Sequence, residues 1–176
     1  RMRRPPRYTL FPYTTLFRSS HNPGEYNGFK ICRAHAVPVG EETGLKEIEA
    51  LVDARSGAAK AALRGRLSSF DVGEGYTEHA MSVGENFPAL KVAIDCGNGM
   101  ASVGLEPILE KLPVEVVRLY FEPDGSFPNH EADPLKVENL ADVAEAVRRE
   151  GCDFGVAFDG DGDRAIFVDG DGQPIS

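Results

Sequence analysis

Cysteine is scarce in this 176-residue chain, and the three present, Cys32, Cys96 and Cys152, form no C-x-x-C pair. That spacing signals neither a zinc site nor a disulfide framework, and it points to a reducing, cytoplasmic setting. No run of about 18 apolar residues occurs, so no membrane-spanning helix is predicted. A secretory leader is not signalled either: YTLFPYTTLF, residues 8–17, places Pro12 and several Thr and Tyr where an apolar stretch is needed. Internal repeats and low-complexity segments are missing. Acidic residues are missing from 1–19, which hold five Arg, and the rest of the chain carries 14 basic against 28 acidic residues, a net of −14. So acidic a body argues against nucleic acid as the partner. It still admits an anionic small substrate, provided that a metal, a Lys or an Arg supplies local positive charge.

What is present begins with a break. RMRRPPRYTLFPYTTLFRS, residues 1–19, sustains neither a helical nor a strand period, whereas everything after it is punctuated α/β sequence. A mitochondrial-type presequence is spoiled as an amphipathic helix by Pro5, Pro6 and Pro12. These residues read as a non-native or disordered leader, like a translated sequencing adaptor joined to a truncated gene. The fold expectations therefore start at Ser20.

GFKIC (28–32) and AVPV (36–39) are short apolar segments, the second demoted to an edge or loop by Pro38. Residues 43–55 predict a helix with Leu45, Ile48, Leu51 and Val52 on one face, Thr43 as its cap and Gly57 beyond its end. An interdomain connection is expected near 65–76, followed by a short helix. LKVAID (90–95), VEVVRLY (114–120), FGVAFD (154–159) and AIFVD (165–169) predict four strands. A helix follows the Gly-rich turn CGNGMAS and runs to about residue 112, with Pro107 kinking it or starting a new piece. A second is capped by Asn139, buries Leu140, Val143, Ala144 and Val147, and ends at Gly151. Strand, helix, strand, helix, strand implies a parallel layer, and the fourth strand follows too closely to be parallel.

FDGDGDR, Phe158 to Arg164, is the most informative stretch. It leaves a buried strand, where open α/β sheets place ligands. Asp159, Asp161 and Asp163 alternate with glycines, and three such carboxylates repel one another unless a hard cation gathers them. An EF-hand loop is excluded, because its sixth and twelfth positions hold Arg164 and Gly170 in place of Gly and Glu. An ion-free Asp-Gly hairpin is the bland alternative for this stretch, and the better reading of Asp169 and Asp171. Three carboxylates do not fill the shell of Mg²⁺, and a phosphate oxygen is a natural further ligand. A phosphorylated Ser20 would supply one. Ser20 stands in SSHNPGEYNGFK, residues 19–30, a stretch too dense in turn formers for a helix or strand interior.

The other candidates read as structural on their own. His21 is a poor general base for the adjacent Ser20, because neighbours in an extended loop point different ways. Lys30 on a short strand can simply reach solvent. GNGMAS (97–102) lacks the third Gly of a dinucleotide fingerprint. The three cysteines read as packed small apolar residues, and His35, His79 and His130 carry no signal.

SHNPGEYNGFK (20–30) resembles the active-serine loop of the α-D-phosphohexomutases, and DGDGDR (159–164) resembles their metal loop. The turn from Asp95 to Gly99 and the segment DGSFPNHEADP (124–134) are also similar. YNGFK is the form of the bacterial phosphomannomutase/phosphoglucomutase branch. The resemblance implies that 20–75 is the C-terminal part of a first domain and 76–176 most of a second, three-layer α/β/α domain with a mixed, mainly parallel sheet. It implies that Ser20 is a phosphoserine and that Asp159, Asp161 and Asp163 hold Mg²⁺ together with a Ser20 phosphate oxygen. His21 and Lys30 would line the transferring phosphate, with Lys30 a general acid/base, and Arg164 would orient phosphate or the serine loop. The implied partners are a phosphorylated hexose and its 1,6-bisphosphate, with neither nucleic acid nor membrane.

Arg18 and Ser19 stand where the family has Thr and a small residue, in keeping with native sequence starting near Ser20. The family's third and fourth domains have no counterpart here, so the 176 residues are expected to be inactive alone. Mannose and glucose specificity are not separated. Two other functions compete: a divalent-cation-binding α/β module without catalysis, and a phosphatase-like phosphotransferase with an Asp nucleophile.

Overall fold

The computed structural model describes residues 31–55, 66 and 68–175. These fall into two units that part between Ser69 and Phe70.

The first unit contributes a 3₁₀ turn, Glu41–Thr43, and helix α1, Leu45–Ala54. The residue before α1 is Gly44, whereas Thr43 was the expected cap. The Thr43 hydroxyl oxygen instead accepts the Gly40 N–H at 2.8 Å, which commits it to the preceding turn. Of the two short segments expected as strands, the described part holds only an isolated bridge between Cys32 and Pro38. Cys32 is exposed, contrary to its reading as a packed residue.

The second unit opens with α2, Gly73–Met81, and continues with β1, Leu90–Asp95, α3, Ala101–Leu109, and β2, Val114–Leu119. Helix α4, Ala141–Glu150, leads to β3, Phe154–Phe158, and β4, Ala165–Val168. The sheet order is β2-β1-β3-β4. β1 pairs in parallel with both β2 and β3, and β4 runs antiparallel to β3, as the connection lengths require.

β1 sits at the centre, and its alternating side chains feed two cores. Val92, Ile94 and Cys96 pack with Leu109 and Val156 on the α3 side. Ala93 packs with Val143, Ala146, Val147 and Val168 on the α4 side. Helices thus cover both faces, which explains why the two inner strands, β1 and β3, read as nearly continuous apolar runs, whereas β2 at the edge carries Glu115 and Arg118. The face of α4 is buried as its periodicity predicts, with Val143 and Val147 fully buried. Its start differs: Asn139 lies in a 3₁₀ turn, Val137–Leu140, and its side-chain amide donates to the Asp133 carbonyl at 2.8 Å. Gly151 closes the helix in the left-handed conformation, as expected. Pro107 lies inside a single helix, α3, which ends three residues before the predicted limit.

The two crossovers carry β1, β2 and β3 in one direction, so their C-terminal ends share one edge of the sheet. Three loops meet there: 96–100 after β1, 120–136 after β2 and 159–164 after β3.

Candidate metal centre

Asp159 follows the last residue of β3 and is fully buried. Its carboxylate is held from two sides by Arg164. Nε donates to Oδ2 at 2.8 Å and the Arg164 backbone N–H to Oδ1 at 3.1 Å. The Asp159 N–H returns a bond to the Arg164 carbonyl, and Gly162 N–H bonds the Asp159 carbonyl, which closes the loop tightly. One ligand atom from each of Asp159, Asp161 and Asp163 lies within 4.8 Å of the others. Oxygens around one hard cation at about 2.1–2.6 Å are separated by no more than about 4–5 Å, so the set fits such an ion in donor type and spacing. Arg164 lies within 3.7 Å of Asp163 and 3.8 Å of Asp133 as well, and its pKa is held above the ordinary guanidinium value, chiefly by the bond to Asp159.

The loop after β1 supports this one from beneath. The Met100 N–H bonds the Gly160 carbonyl at 3.0 Å. A Cβ on Gly99 would lie 2.7 Å from that carbonyl oxygen, so only glycine permits the approach. The turn is therefore a backbone support, in keeping with its incomplete dinucleotide fingerprint.

The loop after β2 is tied to the same edge by a pair of which one member is fully buried and the other half-buried. Asp95, fully buried at the end of β1, accepts the Gly97 N–H at 2.7 Å and faces His130 Nε2 at 3.0 Å. His130 Nδ1 lies 2.9 Å from the Glu131 carbonyl, so both ring nitrogens face acceptors and the imidazolium is favoured. The Asp95 hydrogen bond accordingly raises the His130 pKa to about 9, against the opposing effect of burial. The Tyr120 ring meets His130 edge-on at 5.3 Å, and its hydroxyl donates to Asp142 at 2.6 Å, which raises the phenol to about 12. Tyr120 takes φ of 53°, a conformation that costs a bulky residue about 1–3 kcal/mol and is held here by these contacts. Asn98 joins the two loops directly: its amide nitrogen donates to the Glu122 carbonyl, and its oxygen accepts from Asn129.

The structure brings together Asp159, Asp161, Asp163 and Arg164 among the residues expected at the site. Ser20, His21 and Lys30 lie outside the described residues. Sequence reasoning passed over His130 and Asp133, which are 35 and 31 positions from their respective partners Asp95 and Arg164. No local pattern marks such pairs. Cys96 and Cys152 are buried, and burial pushes Cys96 up to about 12, so it packs as an inert residue.

Residues 74–172 match the family described as phosphoglucomutase/phosphomannomutase, alpha/beta/alpha domain II, and residues 12–58 match domain I of the same family. The second match starts inside the stretch set apart as a leader. The chain is 39% identical over 160 residues to a phosphomannomutase/phosphoglucomutase of Pseudomonas putida, covering 91% of this chain and 34% of that protein. It is 36% identical over 165 residues to an Escherichia coli phosphomannomutase, covering 89% of this chain and 36% of that one. A phosphoglucomutase/phosphomannomutase family protein from Burkholderia thailandensis superimposes with a TM-score of 0.74 at 37% identity, over 88% of this chain and 33% of its own. The chain thus spans about a third of the length of the curated relatives it matches. Among the described residues, no helix is long and apolar enough to cross a membrane.

Proposed function

The chain belongs to the phosphoglucomutase/phosphomannomutase family, and from that premise we propose that its function is to interconvert hexose 6-phosphate and hexose 1-phosphate through a phosphoserine and a bisphosphorylated sugar. The observation that carries the reading is the convergence of Asp159, Asp161 and Asp163 at the C-terminal end of a parallel strand. These three carboxylates would hold Mg²⁺ together with a phosphate oxygen on Ser20. When bound, the cation supplies positive charge to the phosphoryl oxygens. That is the main demand of phosphoryl transfer, alongside positioning.

The chain's own residues then divide the work. Ser20 Oγ carries the phosphoryl group, and its O–P bond breaks as a sugar hydroxyl forms a new one. Lys30 takes the proton of that hydroxyl and gives it to the departing Ser20 oxygen. After the sugar reorients, Ser20 Oγ attacks the sugar's other phosphate, and Lys30 carries the Ser20 proton to the leaving sugar oxygen. His21 lines the transferring group. Arg164, anchored on Asp159, orients the phosphate or the serine loop. Phosphorylated hexoses and hexose 1,6-bisphosphate are the partners.

The test is to incubate the 176-residue chain with glucose 1,6-bisphosphate and Mg²⁺ and to map the phosphorylated residue by mass spectrometry. Phosphate on Ser20, lost in Ser20→Ala, is expected. A hydroxylamine-labile phosphate on an Asp supports the phosphatase-like reading instead. Cation binding without phosphorylation, unchanged by Ser20→Ala, supports the non-catalytic module. Assaying hexose 6-phosphate in the same reaction checks the expectation that these residues alone do not turn over.

A further inference from the structure

Arg164 faces more negative charge than the metal loop alone provides. Besides Asp159 and Asp163, its guanidinium lies 3.8 Å from Asp133, which belongs to a different loop and is not among the converging ligands. Asp133 is built into that loop firmly. Its side chain is 15% exposed, between buried Ala132 and buried Pro134. Its N–H bonds the Glu131 carbonyl, its own carbonyl accepts the Lys136 N–H and the Asn139 amide, and its Oδ1 accepts the Leu135 N–H at 3.3 Å. Such anchoring gives the carboxylate a fixed place beside the guanidinium.

The position of Arg164 matters because its Nε bonds the carboxylate of Asp159, one of the three converging side chains. A guanidinium on a carboxylate competes with a cation for the same lone pairs. We propose that Asp133 is a positioning residue for the cation site: it shares the Arg164 guanidinium with Asp159 and Asp163, offsets part of its charge there, and so tightens divalent-cation binding. The proposal rests on the cation-site reading above and requires no change in the ligands themselves.

A double-mutant cycle on the full 176-residue chain tests it, with free Mn²⁺ read by electron paramagnetic resonance and the fold checked by circular dichroism. Asp133→Asn, which keeps an oxygen for the Leu135 N–H, is expected to weaken Mn²⁺ binding about tenfold, the low end for a partner of a ligating residue. In the Arg164→Met background the same substitution is expected to change affinity by less than about twofold, because the pair is coupled only through Arg164. Arg164→Met alone is expected to tighten binding. Equal effects of Asp133→Asn in both backgrounds would show a general loss of negative charge and overturn the proposal while leaving the site intact. Should Asp133→Asn fail to fold, Arg164→Met decides: weaker binding there overturns the competition on which the proposal depends. A wild-type chain that binds no Mn²⁺ refutes the cation site itself and this proposal with it.

Discussion

Two Asp-Gly turns leave the last two strands, and they share a composition but not a chemistry. The first, residues 159–163, follows β3 and brings three carboxylates together. In the second, residues 169–172, Asp169 turns its carboxylate back on its own backbone, where Oδ1 accepts the N–H groups of Asp171 at 3.0 Å and Gln173 at 2.8 Å. Strand direction separates them. β3 is parallel to β1 and β2, so its turn arrives at the edge where two other loops can support it. β4 is antiparallel, so its turn returns to the opposite edge, with Gly170 beside the carbonyls of Asp153 and Cys152. The comparison teaches that acidic turn composition does not make a cation site; convergence at a supported sheet edge does.

The largest test is to remove one carboxylate from each turn. Asp161→Asn is expected to weaken Mn²⁺ binding about a thousandfold, about 4 kcal/mol, while Asp171→Asn leaves it unchanged. Similar losses from both would erase the distinction.

Alkaline pH should act on the first turn's edge through His130. The folded-state pKa of His130, about 9, lies above its ordinary value of 6.5. Its contribution to stability is therefore fully present below pH 6.5 and is lost as pH rises through 9. The loss is on the order of 3 kcal/mol. Urea unfolding between pH 6 and pH 10 measures it against His130→Gln, which should lack this component. Parallel curves for the two proteins would remove the charged Asp95–His130 pair from the account.

Next in size is Gly172→Ala. Gly172 has φ of +73°, and a Cβ there would lie 2.8 Å from the Ala144 carbonyl. Urea unfolding should show a loss of about 2 kcal/mol, with Mn²⁺ affinity intact. Smallest is Asp169→Ala, which removes the acceptor of two exposed N–H groups and should cost about 1 kcal/mol by the same measurement. A fall in Mn²⁺ affinity in either variant would mean that the second turn reaches the site after all.

Much of the second unit was legible because its two inner strands are buried on both faces. LKVAID and FGVAF stand out as apolar runs, and the helix-sized gaps between strands imply parallel pairing. Helix starts were less legible. Thr43 and Asn139 have the chemistry of caps, but the local turns claimed both side chains, and Gly44 and Leu140 stand at the boundaries. Periodicity also did not dictate burial. Leu51 and Val52 of α1 keep 58% and 63% of their surface exposed, while Val143 and Val147 of α4 keep none, because α4 has a sheet to pack on. The metal loop was read from Asp-Gly alternation at a strand end. The residues that steady it were not, since His130 and Asp133 act on partners far along the chain.

By itself the sequence determined the α/β class, the parallel core with its antiparallel last strand, and the three carboxylates of the metal loop. Each is written in contiguous residues whose spacing carries the physical signal. The tertiary structure alone decided which acidic turn gathers its carboxylates, that His130 pairs with Asp95, and that Asp133 stands beside Arg164. Those choices depend on which loops the strand order brings to one edge of the sheet, and contacts between distant loops leave no period or spacing to read.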